Sequence, residues 1–233
     1  MKPRLILILI VLVIIVSFNN VDYKMALING TWSIDEEVKS NNYDIYLVEE
    51  PDFDYSDENV YALAQEIKSE SNSPKDALKR TIKYVVNNVH YSSSISTGYC
   101  YSEKASTVLD SKKGDCVSMS RLVTALLRAQ GIPSRTVGGC LSMFTRCTPT
   151  FAVIPFMQTK VVPMVIGDFK KRGYLHEWVE VWLPEDGWMI VESTSGQVYP
   201  IECNTYTQYG YDSNVFNRCV ISDGNFWELC AKK

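Results

Sequence analysis

Three residues carry the strongest chemical signal in this chain. Cys116 follows Lys113-Gly114-Asp115 at the start of a helix-like segment. His176 heads the run His176-Glu177-Trp178-Val179-Glu180-Val181-Trp182. Glu192 lies within Gly187-Trp188-Met189-Ile190-Val191-Glu192-Ser193-Thr194. A cysteine attacks a carbonyl carbon as its thiolate, and a helix N-terminus favours that anion through its free N–H groups and dipole. A histidine at the sulfur supplies an imidazolium partner and later protonates the leaving amine. A carboxylate on the far side of the ring fixes its tautomer and orientation. The chemistry such a set performs is acyl transfer from an amide through a thioester.

The second and third residues meet only in one register. Strand alternation places His176, Trp178, Glu180 and Trp182 on one side, and Trp188, Ile190 and Glu192 on one side of the next strand. If Pro184-Glu185-Asp186 is a three-residue loop, Leu183 opposes Gly187 and Trp178 opposes Glu192. Glu192 is then the diagonal neighbour of His176, within reach of a long side chain. A two-residue loop would put the pair on opposite faces.

Other titratable and aromatic residues read more simply. His90 follows a helix and is expected at the surface. Asp115 is expected to cap the helix that Cys116 opens, since a bare carboxylate at the sulfur would disfavour the thiolate. Trp178, Trp182 and Trp188 suit a core or a cleft wall, and Arg135 a local ion pair. Asp52, Asp54 and Asp57 lack the glycine and closing glutamate of a calcium loop. No CxxC pair occurs and the two histidines lie far apart in sequence, so no metal and no cofactor are expected.

The elements that must hold these groups follow from periodicity and punctuation. Val60 to Glu70 reads as a helix broken by Ser71-Asn72-Ser73-Pro74. Ser73 is the expected N-cap of the next helix, with Pro74 at its first position. Leu78, Ile82, Val85, Val86 and Val89 form its buried stripe. Tyr91 to Tyr101 reads as a serine-rich loop. The helix from Cys116 buries Met119, Val123, Leu126 and Leu127 and stops at Gly131-Ile132-Pro133. Strands are expected from Ser134 to Leu141, Leu175 to Leu183 and Gly187 to Thr194. Ser142 to Tyr174 reads as an insertion. Asp44 to Val48 reads as a strand and Glu49 to Glu58 as a solvated acidic linker. Helices first and strands later indicate an α+β fold.

The chain has 233 residues, 46% of them hydrophobic and 21% charged, a composition that suits one globular domain and excludes disorder and coiled coil. Its net charge of −4 carries no footprint for nucleic acid. Lys2 and Arg4 precede an unbroken aliphatic run from Leu5 to Val16, the pattern of an export signal or signal anchor. Asn29-Gly30-Thr31 is a glycosylation sequon, consistent with export. An exported chain with seven cysteines has one left over after pairing. The expectation is three disulfides among Cys100, Cys140, Cys147, Cys203, Cys219 and Cys230, with Cys116 free. Cys140 with Cys147 is one candidate pair, and a tie among Cys203, Cys219, Cys230 and Cys100 is another. The sequence leaves the connectivity open.

Read together, Lys113-Gly114-Asp115-Cys116, Leu122 to Arg128, Gly131-Ile132-Pro133-Ser134-Arg135, His176-Glu177-Trp178-Val179-Glu180-Val181 and Gly187-Trp188 to Thr194 resemble the transglutaminase-like superfamily. The resemblance spans Val60 to Pro200 with five segments in order. It implies a papain-like α+β core, with the nucleophile at a helix start packed on an antiparallel sheet. It implies Cys116 as nucleophile, His176 as base and acid, and Glu192 at the position usually held by aspartate. The organisation expected is a signal peptide or anchor over 1–20 and a polar lead-in over 21–59. The transglutaminase-like domain then covers 60–200, and a cysteine- and tyrosine-rich extension 201–233. The activity this implies is an exported cysteine peptidase or amidase acting on protein or peptide substrates such as cell-envelope peptides. The membrane is expected to be met only through the N-terminal segment, if that segment stays uncleaved. Cross-linking by acyl transfer to lysine and a non-catalytic binding module are the alternatives.

Overall fold

A computed structural model describes residues 32–92, 103–141, 147–153, 174–203 and 206–211. The expected signal segment, the sequon, and Cys100, Cys219 and Cys230 lie outside the described residues, as does most of the expected insertion. In chain order the elements are helix α1 (Asp35–Ser40), a 3₁₀ turn (Asp44–Tyr46), α2 (Glu58–Ser69), α3 (Pro74–Asn88), β1 (His90–Tyr91), α4 (Ala105–Ser111), β2 (Lys113–Gly114) and α5 (Cys116–Ala129). Strands β3 (Ser134–Leu141), β4 (Phe151–Ala152), β5 (Tyr174–Leu183), β6 (Gly187–Val191), β7 (Gln197–Pro200) and β8 (Tyr206–Tyr211) follow. Six strands form one sheet in the order β4-β7-β6-β5-β3-β8, every neighbour antiparallel. The α+β class and the antiparallel sheet are those expected.

Local chemistry sets the helix ends. The Ser73 hydroxyl accepts from the Asp76 N–H at 3.1 Å, and Pro74 occupies the first turn of α3, where no donor is missed. Its buried stripe is Leu78, Ile82 and Val85. Helix α5 ends where Gly131 adopts φ +82°, a conformation that favours glycine. From Val117 to Arg128 every residue of α5 is buried, so this helix is the centre of the body rather than an amphipathic outer layer.

The sheet uses both faces. Val179, Val181, Leu183, Met189, Val191 and Val198 join the helices in the main core. Val137, Trp178, Ile190, Tyr199 and Cys203 form a second cluster. Cys203 in that cluster is disulfide-bonded to Cys147, with Cα atoms 5.7 Å apart. Cys147 therefore does not pair with Cys140. The bridge joins the segment before β4 to the residue just past β7, because β4 and β7 are hydrogen-bonded neighbours in the sheet.

The region before residue 60 departs from the sequence reading in three ways. Trp32, Ile34 and Val38 are buried in the main core, so the chain packs before the expected domain start. Asp44–Tyr46 is a 3₁₀ turn, not a strand. That turn brings Tyr43 and Tyr46, three residues apart, to the same side, where Tyr43 packs on Trp182 and Trp188 and Tyr46 on Trp188. The acidic segment is no solvated linker. Helix α5 carries two buried arginines; Arg121 pairs with Asp52 at 2.8 Å and Arg128 with Glu50 at 2.8 Å. A buried guanidinium without a counter-charge is strongly unfavourable, and the acidic strap supplies two.

Candidate active site

Gly114 and Asp115 shape the approach to the nucleophile. A Cβ on Gly114 would lie 2.9 Å from Ser118 Cβ, so only glycine lets β2 run this close to the first turn of α5. The Asp115 carboxylate accepts from the Ser118 N–H at 3.0 Å and caps the helix, as expected. One of its oxygens, Oδ1, is thereby engaged with the helix backbone. Strand β1 pairs in parallel with β2, Tyr91 opposite Gly114, which sets an exposed tyrosine next to the Asp115-Cys116 turn. His90 opposes Lys113 and is exposed. Cys116 is half-buried and is a free thiol.

The β5–β6 hairpin has the three-residue connection. Leu183 opposes Gly187 and Val179 opposes Val191, so the next pair in line is Trp178 with Glu192. Glu192 thus stands diagonal to His176. The extra methylene of glutamate spans that diagonal, and His176 Nε2 donates to Glu192 Oε2 at 2.6 Å. The other oxygen, Oε1, accepts from the Thr194 hydroxyl at 2.7 Å and from the Thr194 N–H at 3.2 Å. Both carboxylate oxygens are therefore committed, and the group is locked in one orientation. The imidazole is also hydrogen-bonded to Cys116. With Nε2 on the carboxylate, Nδ1 is the ring nitrogen left for the sulfur.

Electrostatics reinforce this arrangement. Burial alone would push the His176 imidazole down. The charge of Glu192, with hydrogen bonds between the ring and both Cys116 and Glu192, outweighs burial and holds it well above the ordinary histidine value. Burial would likewise push the Glu192 carboxyl up, but the imidazole and the two Thr194 bonds bring it below the usual range. The two directions agree on an imidazolium–carboxylate pair, buried to about 5% exposure on each side.

The structure therefore brings Cys116, His176 and Glu192 into one chain of hydrogen bonds. Of the other residues singled out, Arg135 makes the expected local pair, donating twice to Glu180 Oε2 at 2.9 and 2.7 Å and stacking on Trp188. Trp178 and Trp182 are core residues. Thr194 lies within the Gly187–Thr194 motif, but its role at Glu192 is not legible in the sequence, because a hydroxyl two residues past a carboxylate is a common local contact. Among the described residues, no group of three or more His, Cys, Asp or Glu could hold a metal ion.

The "Transglutaminase-like superfamily" description matches residues 61–193, more than half of the chain. The chain belongs to the transglutaminase-like superfamily. It is 28% identical over 107 residues to the uncharacterized protein YebA of Bacillus subtilis, covering 41% of this chain and 11% of that one. Among solved structures it is similar to a provisionally named cysteine protease of Cytophaga hutchinsonii (17% identity, TM-score 0.47, 72% of this chain and 51% of that). It is also similar to the periplasmic domain of TgpA of Pseudomonas aeruginosa (20% identity, TM-score 0.43, 66% and 49%). A third is red sea bream transglutaminase (14% identity, TM-score 0.43, 68% and 29%). The chain spans about a tenth of the curated relative and about half of the first two solved chains.

One acid in this transglutaminase-like site is unusual. Glu177 follows His176, is fully buried, and neither carboxyl oxygen has a hydrogen-bond partner among the described residues. Burial pushes its carboxyl up to about 8, against the pull of Arg121 and His176 and with the push of Asp115 and Asp52. The unfolded chain ionises this group near 4.5, so the native state holds a proton that the unfolded state releases. Stability consequently falls as pH rises from about 4.5 to about 8. Glu177→Gln removes that slope. Its stability advantage over the parent is expected to be about 3 kcal/mol larger at pH 7 than at pH 4.5, at roughly 1.4 kcal/mol per pKa unit. Urea unfolding of both proteins at the two pH values measures it.

Proposed function

We propose that this chain is an exported thiol hydrolase of amide, peptide or isopeptide bonds, acting on protein or peptide substrates outside the cytoplasm. The observation that carries the reading is the unbroken contact from the free Cys116 thiol through His176 to Glu192. The sulfur, its proton passed to the imidazole, attacks the carbonyl carbon. The resulting oxyanion is held by backbone N–H groups at the start of α5, that of Cys116 among them. As the intermediate collapses, the C–N bond breaks and the His176 imidazolium gives its proton to the departing amine. A thioester on Cys116 remains. The neutral imidazole then takes a proton from water, whose oxygen attacks the thioester, and collapse releases the acid and restores the thiol. Glu192 keeps the ring oriented and stabilises each imidazolium; it does not itself take up a proton.

Hydrolysis and cross-linking share the thioester and differ only in its acceptor, water or a lysine amine; hydrolysis is the reading put forward. Export is supported by the Lys2/Arg4-led aliphatic run and by the Cys147–Cys203 disulfide, a bond that persists in oxidising compartments. The test is incubation with a glutamine-bearing protein and a fluorescent primary amine. Release of free acid exceeding amine incorporation is the expected result. Dominant amine incorporation overturns hydrolysis in favour of acyl transfer.

A further inference from the structure

We propose that Ser120 is the positioning residue of this site. Its hydroxyl, tied to Ser193, holds the strand of His176 and the segment of Glu192 against the helix that carries Cys116. The inference rests on the thiol-hydrolase reading above.

Ser120 lies four residues after Cys116 on α5, one turn along the same face of the helix. Its Oγ donates to the Glu177 carbonyl at 3.3 Å and meets Ser193 Oγ at 2.9 Å. A hydroxyl has one proton. With the Ser120 proton on the Glu177 carbonyl, Ser193 is the donor to Ser120. The chain therefore runs from the Ser193 hydroxyl to the Ser120 hydroxyl to the Glu177 carbonyl. Glu177 is the residue after His176, and Ser193 is the residue after Glu192. One hydroxyl on the helix face of the nucleophile thus grips both other members one residue away from each.

All three residues are fully buried, so no solvent reaches the chain. Removing the Ser120 hydroxyl takes away a partner that the Ser193 hydroxyl and the Glu177 carbonyl have among the described residues. The two strands are already paired with each other through the β5–β6 ladder, but that ladder ends at Val179↔Val191. Beyond it, His176 and Glu192 sit on the open end of the hairpin. Among the described residues, the Ser120 bridge is a side-chain link from α5 to both strands at that end. A nucleophile displaced by about 1 Å from its partner costs on the order of a hundred-fold in rate.

The experiment measures alkylation of Cys116 by iodoacetamide from pH 5 to 9, alongside the thermal midpoint, in the full chain. It uses the parent, Ser120→Ala, Ser193→Ala and Ser71→Ala. Ser71 is a buried hydroxyl bonded at 2.6 Å to the Ile67 carbonyl, away from the site, and reports stability loss alone. Ser120→Ala is expected to slow alkylation at pH 6 by about ten-fold or more and to displace the pH profile. Ser193→Ala, which leaves the Ser120 bond to Glu177 intact, is expected to slow it by about three-fold. Ser71→Ala is expected to lower the midpoint and leave the profile in place. Unchanged alkylation in folded Ser120→Ala overturns the inference while leaving the hydrolase reading intact. If Ser120→Ala does not fold, Ser193→Ala decides: an unchanged profile overturns the inference. A parent whose Cys116 is not alkylated at all overturns the hydrolase reading, and the positioning role with it.

Discussion

Cys116→Ala is expected to abolish turnover while leaving the fold in place. Loss of the nucleophile in a cysteine- or serine-based site costs on the order of 10⁶ in kcat, because no thioester can form. Stability should barely change. Cys116 is half-buried at the first position of α5, makes no disulfide, and alanine is the best helix former. The helix keeps its Asp115 cap, which does not involve the sulfur. Turnover assayed beside the thermal midpoint therefore separates chemistry from folding. Residual activity of Cys116→Ala near the parent level would remove the sulfur from the mechanism.

Glu192→Gln is the second large effect. Glutamine preserves shape and can still engage Thr194, so the hairpin should survive. What is lost is the charge that outweighs burial at His176. Without it, desolvation prevails and the imidazole value falls. An amide can also present its NH₂ to the ring and favour the wrong tautomer. In triads of this design that change costs about 10⁴ in kcat. The direction in pH follows from the same balance. The parent retains its imidazolium up to a pH well above the ordinary histidine range, whereas the variant loses it at lower pH. The alkaline limb of the rate profile should move to lower pH in Glu192→Gln. A profile unmoved, with kcat within a few-fold of the parent, would show that the carboxylate does not act on the ring.

The parts of this site legible in the sequence are those set by local rules. The Pro184-Glu185-Asp186 loop length fixed the hairpin register, and with it the diagonal that Glu192 must span to reach His176. Ser73-Pro74 and Asp115 announced helix starts because capping depends on neighbours within one turn. The contacts that the sequence does not reveal act over long range. Nothing local to Glu50 or Asp52 says that two buried arginines on α5 will draw that segment onto the body. Tyr43 and Tyr46 take a turn rather than a strand because Trp182 and Trp188, far away in sequence, offer them a surface. Cys147 meets Cys203 because β4 lies beside β7, a sheet-edge pairing that cysteine spacing does not encode. Helix α4 and strand α5-flanking β2 are short, and their patterns are too brief to stand out from the loops around them. Strand β8 pairs with β3 from within the expected extension, so the sheet continues past the family-like region.

The central claim is that His176 activates a free Cys116. The most direct measurement is the rate of Cys116 alkylation by iodoacetamide at pH 6, followed by mass spectrometry, in the parent and in His176→Ala. An imidazolium at the sulfur makes it reactive where an isolated thiol is largely protonated, so the parent should label at least about ten-fold faster than the variant. Equal rates in the two proteins, or a Cys116 that resists labelling in both, would contradict the account.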